Sequence, residues 1–397
     1  MMRRALAFMI GLAGALFSSG VEAQYRLRAD AYYAAPDPTT GLLVLQGESH
    51  RPSWLDAEAV VWLGATTVAG PAAQPYPADV LVASVRARHP DGYGEARVGR
   101  MLLTAGGLRP VHLDGADVIG RAPWGTSIEA FGGVPVAPAY QSRDFDWAVG
   151  GRLAQRIGTY GTVGLAYLQL RDTGAKAYEE LGFDATATPA RYLDAAFSGA
   201  VDLQGLVLSD ARISLATRFA GVRIELFAAR RSPSHLLPAT SLFSALGDVP
   251  SQRAGGTMLW RAAPRLDILG EGAAESLAGE LAYQLLFRST LRLDDRGDGA
   301  LGLEARRQGT PGDAWMGVRA TARLPLTRLL SAAAELELVR PDVARGRGAL
   351  WPWGLVAMRL KPEPGWELAG AVEASASPAA VSEVNVIFRV SRAWAAR

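Results

Sequence analysis

The chain of 397 residues contains no cysteine. That excludes a disulfide scaffold, a lipoprotein anchor and any thiolate site, so stability must come from another source. Lysine is almost missing too. Only Lys176 and Lys361 occur among the 41 basic residues, and the rest are arginine. The four histidines (His50, His89, His112 and His235) are scattered, with no partner at metal-ligand spacing. The G-x-S-x-G, H-E-x-x-H, Walker and C-x-x-C patterns are absent as well. We therefore expect no metal, no cofactor and no enzymatic activity. The formal net charge of +2 gives no basis for nucleic-acid binding. Past the first residues, no apolar run approaches the roughly 18 residues of a helical membrane span.

The N-terminus reads as a secretory signal. Arg3 and Arg4 supply the positive region, Ala5 to Leu16 the apolar stretch, and Val21-Glu22-Ala23 a small-residue cleavage site before Gln24. Residues 1–23 are thus expected to be a signal peptide, and 24–397 one domain with no change of composition along it.

What the chain does have is hydrophobicity, 49% of its residues, with ten Trp, eleven Tyr and eleven Phe. These residues alternate with polar ones. In LAGELAYQLLFRSTLRL (277–293) the odd positions Leu277, Leu281, Tyr283, Leu285, Phe287, Leu291 and Leu293 are oily. The even positions include Glu280, Gln284, Arg288 and Arg292. Side chains on a strand point to opposite faces with a period of two, so one face is apolar and the other charged. As a single strand the run spans on the order of 55 Å at roughly 3.3 Å per residue, far beyond a typical soluble strand.

The same rhythm recurs at 25–31, 145–156, 161–171, 191–203, 211–219, 222–230, 330–339 and 384–394. About eighteen such segments, at a spacing of roughly twenty residues, predict an all-β fold. We expect a single antiparallel transmembrane β-barrel of 16–18 strands, with 18 the best match. Longer connections are expected at 104–125, 172–189 and 232–250, on the outer side, with short turns and both termini on the periplasmic side. A segment holding Pro110, Gly115, Gly120 and Pro123 lacks strand regularity. It can fold into the lumen as a constriction, although an ordinary extracellular loop is the plainer expectation. Aromatics near strand ends, such as Trp366 and Trp394, fit interfacial girdles.

Parity then selects the lumen. Arg97, Arg152, Arg223, Glu225, Arg265, Asp267, Glu280, Arg288, Arg292, Arg319, Arg323, Glu335, Glu337, Glu373 and Arg389 fall on the polar register. Each Arg facing lipid at the midplane costs about 2–4 kcal/mol, which drives most of these residues inward or to wet strand ends. They either brace a closed barrel as ion pairs or line a channel and set its selectivity.

One stretch carries a resemblance. Gly99-Arg100 followed by GLRPVHLDGA (107–116) is similar to a segment of alginate-export-type outer-membrane porins, with Met101 where that family commonly has a polar residue. The resemblance covers some twenty-five residues of the chain. It implies a wide monomeric barrel with an Arg-rich constriction that passes an anionic polysaccharide or other anion, and Arg100, His112 and Asp114 are the positions carried over.

The expected function is a passive, porin-like channel of the bacterial outer membrane for small or oligomeric hydrophilic solutes. A non-conducting barrel acting as scaffold or secretion partner is the alternative, and a hydrolase built on His112 and Asp114 the remaining one. Expected partners are outer-membrane lipid and lipopolysaccharide, the solute, and the outer-membrane assembly machinery, which would read the closing strand.

Overall fold

A strand that is oily on one face and charged on the other is satisfied only when each face meets its own solvent and every backbone group finds a partner. In this computed structural model that condition is met by closure. The structure describes residues 25–395 except 36–39, 50–53, 67–77, 137–144, 233–249, 278, 311–312, 344–349 and 377–382. The expected signal peptide and nearly all of the expected 232–250 loop lie outside the described residues.

Twenty-two strands form one antiparallel sheet. The first six are β1 (Tyr25–Ala35), β2 (Thr40–Ser49), β3 (Leu55–Thr66), β4 (Ala78–Arg88), β5 (Gly94–Leu103) and β6 (Val111–Arg121). Next come β7 (Thr126–Pro135), β8 (Phe145–Ile157), β9 (Gly161–Asp172), β10 (Ala175–Ala190), β11 (Leu193–Asp202) and β12 (Val207–Phe219). The chain continues through β13 (Val222–Arg231), β14 (Ser251–Ala263), β15 (Leu266–Leu277), β16 (Glu280–Arg292) and β17 (Ala300–Thr310). It ends with β18 (Asp313–Pro325), β19 (Leu330–Pro341), β20 (Trp351–Leu360), β21 (Trp366–Ser375) and β22 (Glu383–Ala395). Each strand pairs with the next. β22 returns to pair with β1 from Arg26↔Ala395 to Ala35↔Val386, so the sheet has no edge.

The strand number corrects the expectation of 16–18. Two segments read as loops are strands: β6 occupies most of 104–125, and β10 occupies most of 172–189. Only 104–110 and the turn at 122–125 remain outside strands in the first, and only the turn at 173–174 in the second. The long run at 277–293 is also shorter than expected. Gly279 takes φ +86° in the turn that separates β15 from β16, a left-handed conformation that favours glycine. Its alternation nevertheless holds: Leu281, Leu285 and Phe287 face outward at 63, 54 and 50% exposure.

The first described residue, Tyr25, and the last, Ala395, lie at the same end of the barrel as the turns that follow the even-numbered strands. At one of these, 293–299, the Asp294 carboxylate accepts the backbone N–H groups of Asp298 (3.0 Å) and Gly299 (2.5 Å). Those donors hold its carboxyl below the usual range. On the outward register near this end, the Arg392 guanidinium lies over the Trp366 and Trp394 rings at 4.7 and 5.6 Å. The two tryptophans expected at an interfacial girdle thus share one cation.

Candidate functional site

The barrel wall departs from regularity where β5, β6 and β7 cross the row Gly99↔Gly115↔Gly133. A Cβ on Gly115 would sit 2.7 Å from the Gly133 Cα, and one on Gly133 would sit 2.6 Å from the Gly115 Cα. A Cβ on Gly99 would meet the Ser84 Cα at 2.9 Å, and Gly99 itself takes φ +126°. These three glycines sit on the inner face, and without side chains there the sheet can crease inward.

Above the crease the β5–β6 hairpin leaves the wall. The β4–β5 ladder stops at Ala83↔Arg100, although β4 runs on to Ala78 and the β5–β6 ladder continues to Leu103↔Val111. The tip, with its 104–110 loop, folds into the lumen and lies across the inner faces of β7 to β11. Met101, Leu103, Ala105, Leu108, Val111 and Leu113 pack there against Phe131, Ala148, Ala166, Leu168, Leu170 and Tyr178. The loop reaches the far strands: a Cβ on Gly182 would lie 3.0 Å from the Leu108 nitrogen. Arg109 caps the contact, its guanidinium 4.6 Å from the Tyr178 ring centre, while the Tyr178 hydroxyl donates to Glu180 at 2.7 Å. Met101, Leu113, Leu168 and Glu180 are completely covered. The expectation of an ordinary extracellular loop is therefore corrected. The segment lines the lumen and narrows it.

Departure of the hairpin leaves carbonyls on β4 without ladder partners, and side chains take their place. Arg100 Nη1 donates to the Val80 carbonyl at 3.1 Å, and His112 Nε2 bonds the Leu81 carbonyl at 2.8 Å. Arg100 also makes a bidentate pair with Asp114, both bonds 2.8 Å, and reaches Asp79 at 3.4 Å. Register places Arg100, His112 and Asp114 on the face opposite Arg97. That face is the exposed outer one below the crease, at Val98 and Val118, and above it turns towards the part of β4 that the hairpin has left. These three residues seal the wall. His112 and Asp114 share a face but bond different groups, His112 Nε2 the Leu81 carbonyl and Asp114 the Arg100 guanidinium.

Leu113→Ala is expected to cost about 2–5 kcal/mol of hairpin docking, the range for deleting a fully buried leucine side chain. Hydrogen exchange should quicken over 101–113 and stay slow along β14–β18. Equal quickening everywhere would mean that the hairpin is not a separable unit.

Around the rest of the wall, the inward register is a lattice of ion pairs. Arg97 donates to Ser84 Oγ (2.9 Å) and Glu58 (3.4 Å). Arg152 holds Asp184 at 3.0 and 2.5 Å beneath the hairpin tip, where a Cβ on Gly106 would meet Arg152 Nε at 3.0 Å. Arg223 pairs with Glu225 (3.1 Å), Arg292 with Asp267 (2.7 Å) and Arg288 with Glu304 (2.6 Å). Arg319 pairs with Glu335, Arg306 with Glu337 and Arg389 with Glu367. Arg323 donates to the Gly297 and Asp298 carbonyls at 2.6 and 3.0 Å, and Glu280 opens β16 on the inward register. Arg265 is the exception among the parity assignments. It sits in the β14–β15 turn and pairs with Asp295 at 2.7 Å. Among the described residues no group of three or more His, Asp or Glu could hold a metal ion.

Several lumen residues escape the sequence reading. Arg212, Arg253, Glu271, Glu304 and Arg306 lie on the inward register, and the parity of β12, β14, β15 and β17 was sufficient to find them. The buried latch of Arg109, Tyr178 and Glu180 carried no such signal, because it belongs to a loop and to a strand with irregular parity.

No protein-family model matches the sequence, and no curated protein matches it. Solved structures do. The siderophore receptor PirA from Pseudomonas aeruginosa superposes with a TM-score of 0.58 at 9% identity, covering 94% of this chain and 80% of that one. The translocation pore of the P pilus usher PapC gives 0.51 at 10% identity, covering 94% and 99%. OccK2 (OpdF) from Pseudomonas aeruginosa, solved with glucuronate, gives 0.43 at 9% identity, covering 94% and 98%. At these identities the first two likenesses establish a shared fold, a large closed antiparallel β-barrel.

Proposed function

We propose that the protein is a passive outer-membrane channel for small hydrophilic solutes, residing in the outer membrane of a diderm bacterium. The observation that carries this reading is the division of the closed wall into an apolar outside and a charged inside, with the inward hairpin covering only the β7–β11 sector. A barrel of this width is too large for side chains alone to fill. The fold it shares with a translocation pore is consistent with a lumen that passes cargo.

The lumen charges are mixed and mutually paired, so ion selectivity is weak in this reading and the anion preference implied by the porin resemblance is not required. The aromatic-flanked outer face meets outer-membrane lipid and lipopolysaccharide. The last strand, with Val384, Val386, Phe388, Val390 and Trp394 on one face, serves the assembly machinery.

Conductance of the refolded protein in a planar bilayer tests the reading. Stable steps are expected, with a reversal potential near zero under a salt gradient. A folded but silent barrel would overturn it in favour of a scaffold.

A further inference from the structure

The inner wall of β12–β15, outside the sector covered by the hairpin, holds a partly enclosed cavity of 360 Å³. Its construction follows from the register. The uppermost rung places Arg231 beside Asp210 and Ser251. The next is Arg212↔Ala229↔Arg253↔Glu275. Below it come Phe227↔Gly255↔Ala273, then Glu225↔Thr257↔Glu271. The small side chain of Ala229 and the Phe227 ring therefore lie between the charged residues that make up most of the lining.

By backbone register the arginines and the glutamates stand on different rungs, although Arg212 and Arg253 reach down towards Glu225 and Glu271. Arg212 and Arg253 flank Ala229 from the two neighbouring strands, about 10 Å apart at their Cα atoms from the spacing of strands. Arg231 stands one rung above. The carboxylates of Glu225 and Glu271 lie below, and Glu275 lies to one side. Arg212 and Arg253 are also steadied by the Phe227 ring, at 5.9 and 5.5 Å from its centre. Two of the three guanidiniums are only loosely engaged: Arg212 to Glu225 at 3.6 Å and Arg231 to Asp210 at 3.9 Å. Both distances exceed a hydrogen bond, which leaves donor capacity on two guanidiniums that line the cavity beside Ala229. Arg253 is held to Glu271 at 2.6 Å and to Gln284 at 3.3 Å.

We propose that this cavity binds a small zwitterionic solute of the amino-acid or short-peptide class. Its carboxylate sits between Arg212, Arg231 and Arg253 over Ala229, and its ammonium faces Glu225, Glu271 and Glu275. Three arginines against three glutamates give the lining no net charge, so an anion or a cation alone gains from one half and is repelled by the other. A solute carrying both charges is complementary to both halves, and the carboxylate takes the charge-assisted bonds that the two loose guanidiniums leave open. The inference deepens the channel reading by naming a solute class for it, but binding itself needs only access from water.

Diglycine is the probe, with N-acetyl-diglycine (carboxylate only) and glycyl-glycinamide (ammonium only) as comparators. Affinity is measured by saturation-transfer NMR on the detergent-solubilised full chain. Saturable diglycine binding is expected, and each single-charge analogue should bind at least about tenfold more weakly, the equivalent of some 1.4 kcal/mol. Ala229→Trp fills the cavity and should abolish binding. Glu275→Gln should weaken diglycine several-fold and bind N-acetyl-diglycine no more weakly than the parent chain does; it decides the matter if the tryptophan variant does not fold. No saturable binding, equal affinity for N-acetyl-diglycine, or an unaffected Ala229→Trp variant would each overturn the proposal. Conductance of the same sample separates the two readings. A silent barrel that binds diglycine sinks the channel and keeps the site, whereas a conducting barrel that ignores diglycine does the reverse.

Discussion

Gly115→Val is expected to abolish assembly of the native barrel, whereas Gly120→Ala, five residues along the same strand, should leave it intact. Heat-modifiable mobility on gels and resistance to protease would report both outcomes. The contrast comes from what each new side chain would meet. At Gly115 the first carbon alone would lie 2.7 Å from the Gly133 Cα and further inside the contact distance of the Gly132 carbonyl oxygen. Both obstacles are backbone and cannot rotate away. At Gly120 nothing lies within 4 Å. Ordinary overpacking costs about 1–3 kcal/mol because neighbouring side chains give way; here the sheet itself must straighten. Straightening would pull the β5–β6 hairpin from the lumen and strip the apolar cluster from its seat on β7–β10. Native mobility for Gly115→Val would show that the inward crease is not needed to complete the barrel.

The same hairpin explains where the sequence is legible and where it is not. Alternation is a local signal that survives wherever one face meets lipid and the other meets water, so β8, β9, β13, β16, β19 and β22 read cleanly. β6 breaks the rule because its inner face changes partner along its length. Val111 and Leu113 face the apolar cluster, Gly115 sits in the crease, and Asp117 faces the charged lumen. No single oily face results, and the strand reads as a loop.

β10 fails for a related reason. Register shifts at Lys176/Tyr178 and again at Ala187/Ala190 reset its parity twice, and the adjacent Glu179 and Glu180 point to opposite faces. Glu179 takes the Tyr167 hydroxyl at 2.5 Å on one side, while Glu180 takes that of Tyr178 beneath the hairpin. Two unread strands account for much of the gap between the expected and observed barrel size. Arg100, His112 and Asp114 were legible as an unusual cluster but not as a seal. Their role follows from carbonyls on β4 that lose their ladder partners, and only the three-dimensional register exposes that.

Replacing residues 104–110 by an Asn-Gly turn that joins Leu103 to Val111 is expected to raise single-channel conductance by about twofold or more, since conduction follows the open cross-section of the pore. The join is geometrically sound: Leu103 and Val111 are already Cα partners, and a two-residue turn closes an antiparallel pair in the required twist. The excision removes Ala105, Leu108 and Arg109 from the inner wall, and with them the span of chain that reaches Phe183 and Gly199 across the lumen. It touches no rung of the closing ladder, so the wall should stay sealed. The guanidinium of Arg152, now beneath Gly106, would face water with its partner Asp184 and keep that pair. Unchanged conductance in a correctly folded variant would place the narrowest part of the path elsewhere, among the paired charges of β12–β22. A larger conductance with no change in reversal potential would instead locate resistance in the hairpin and selectivity in the charge lattice, dividing the two tasks between two sectors of one inner wall.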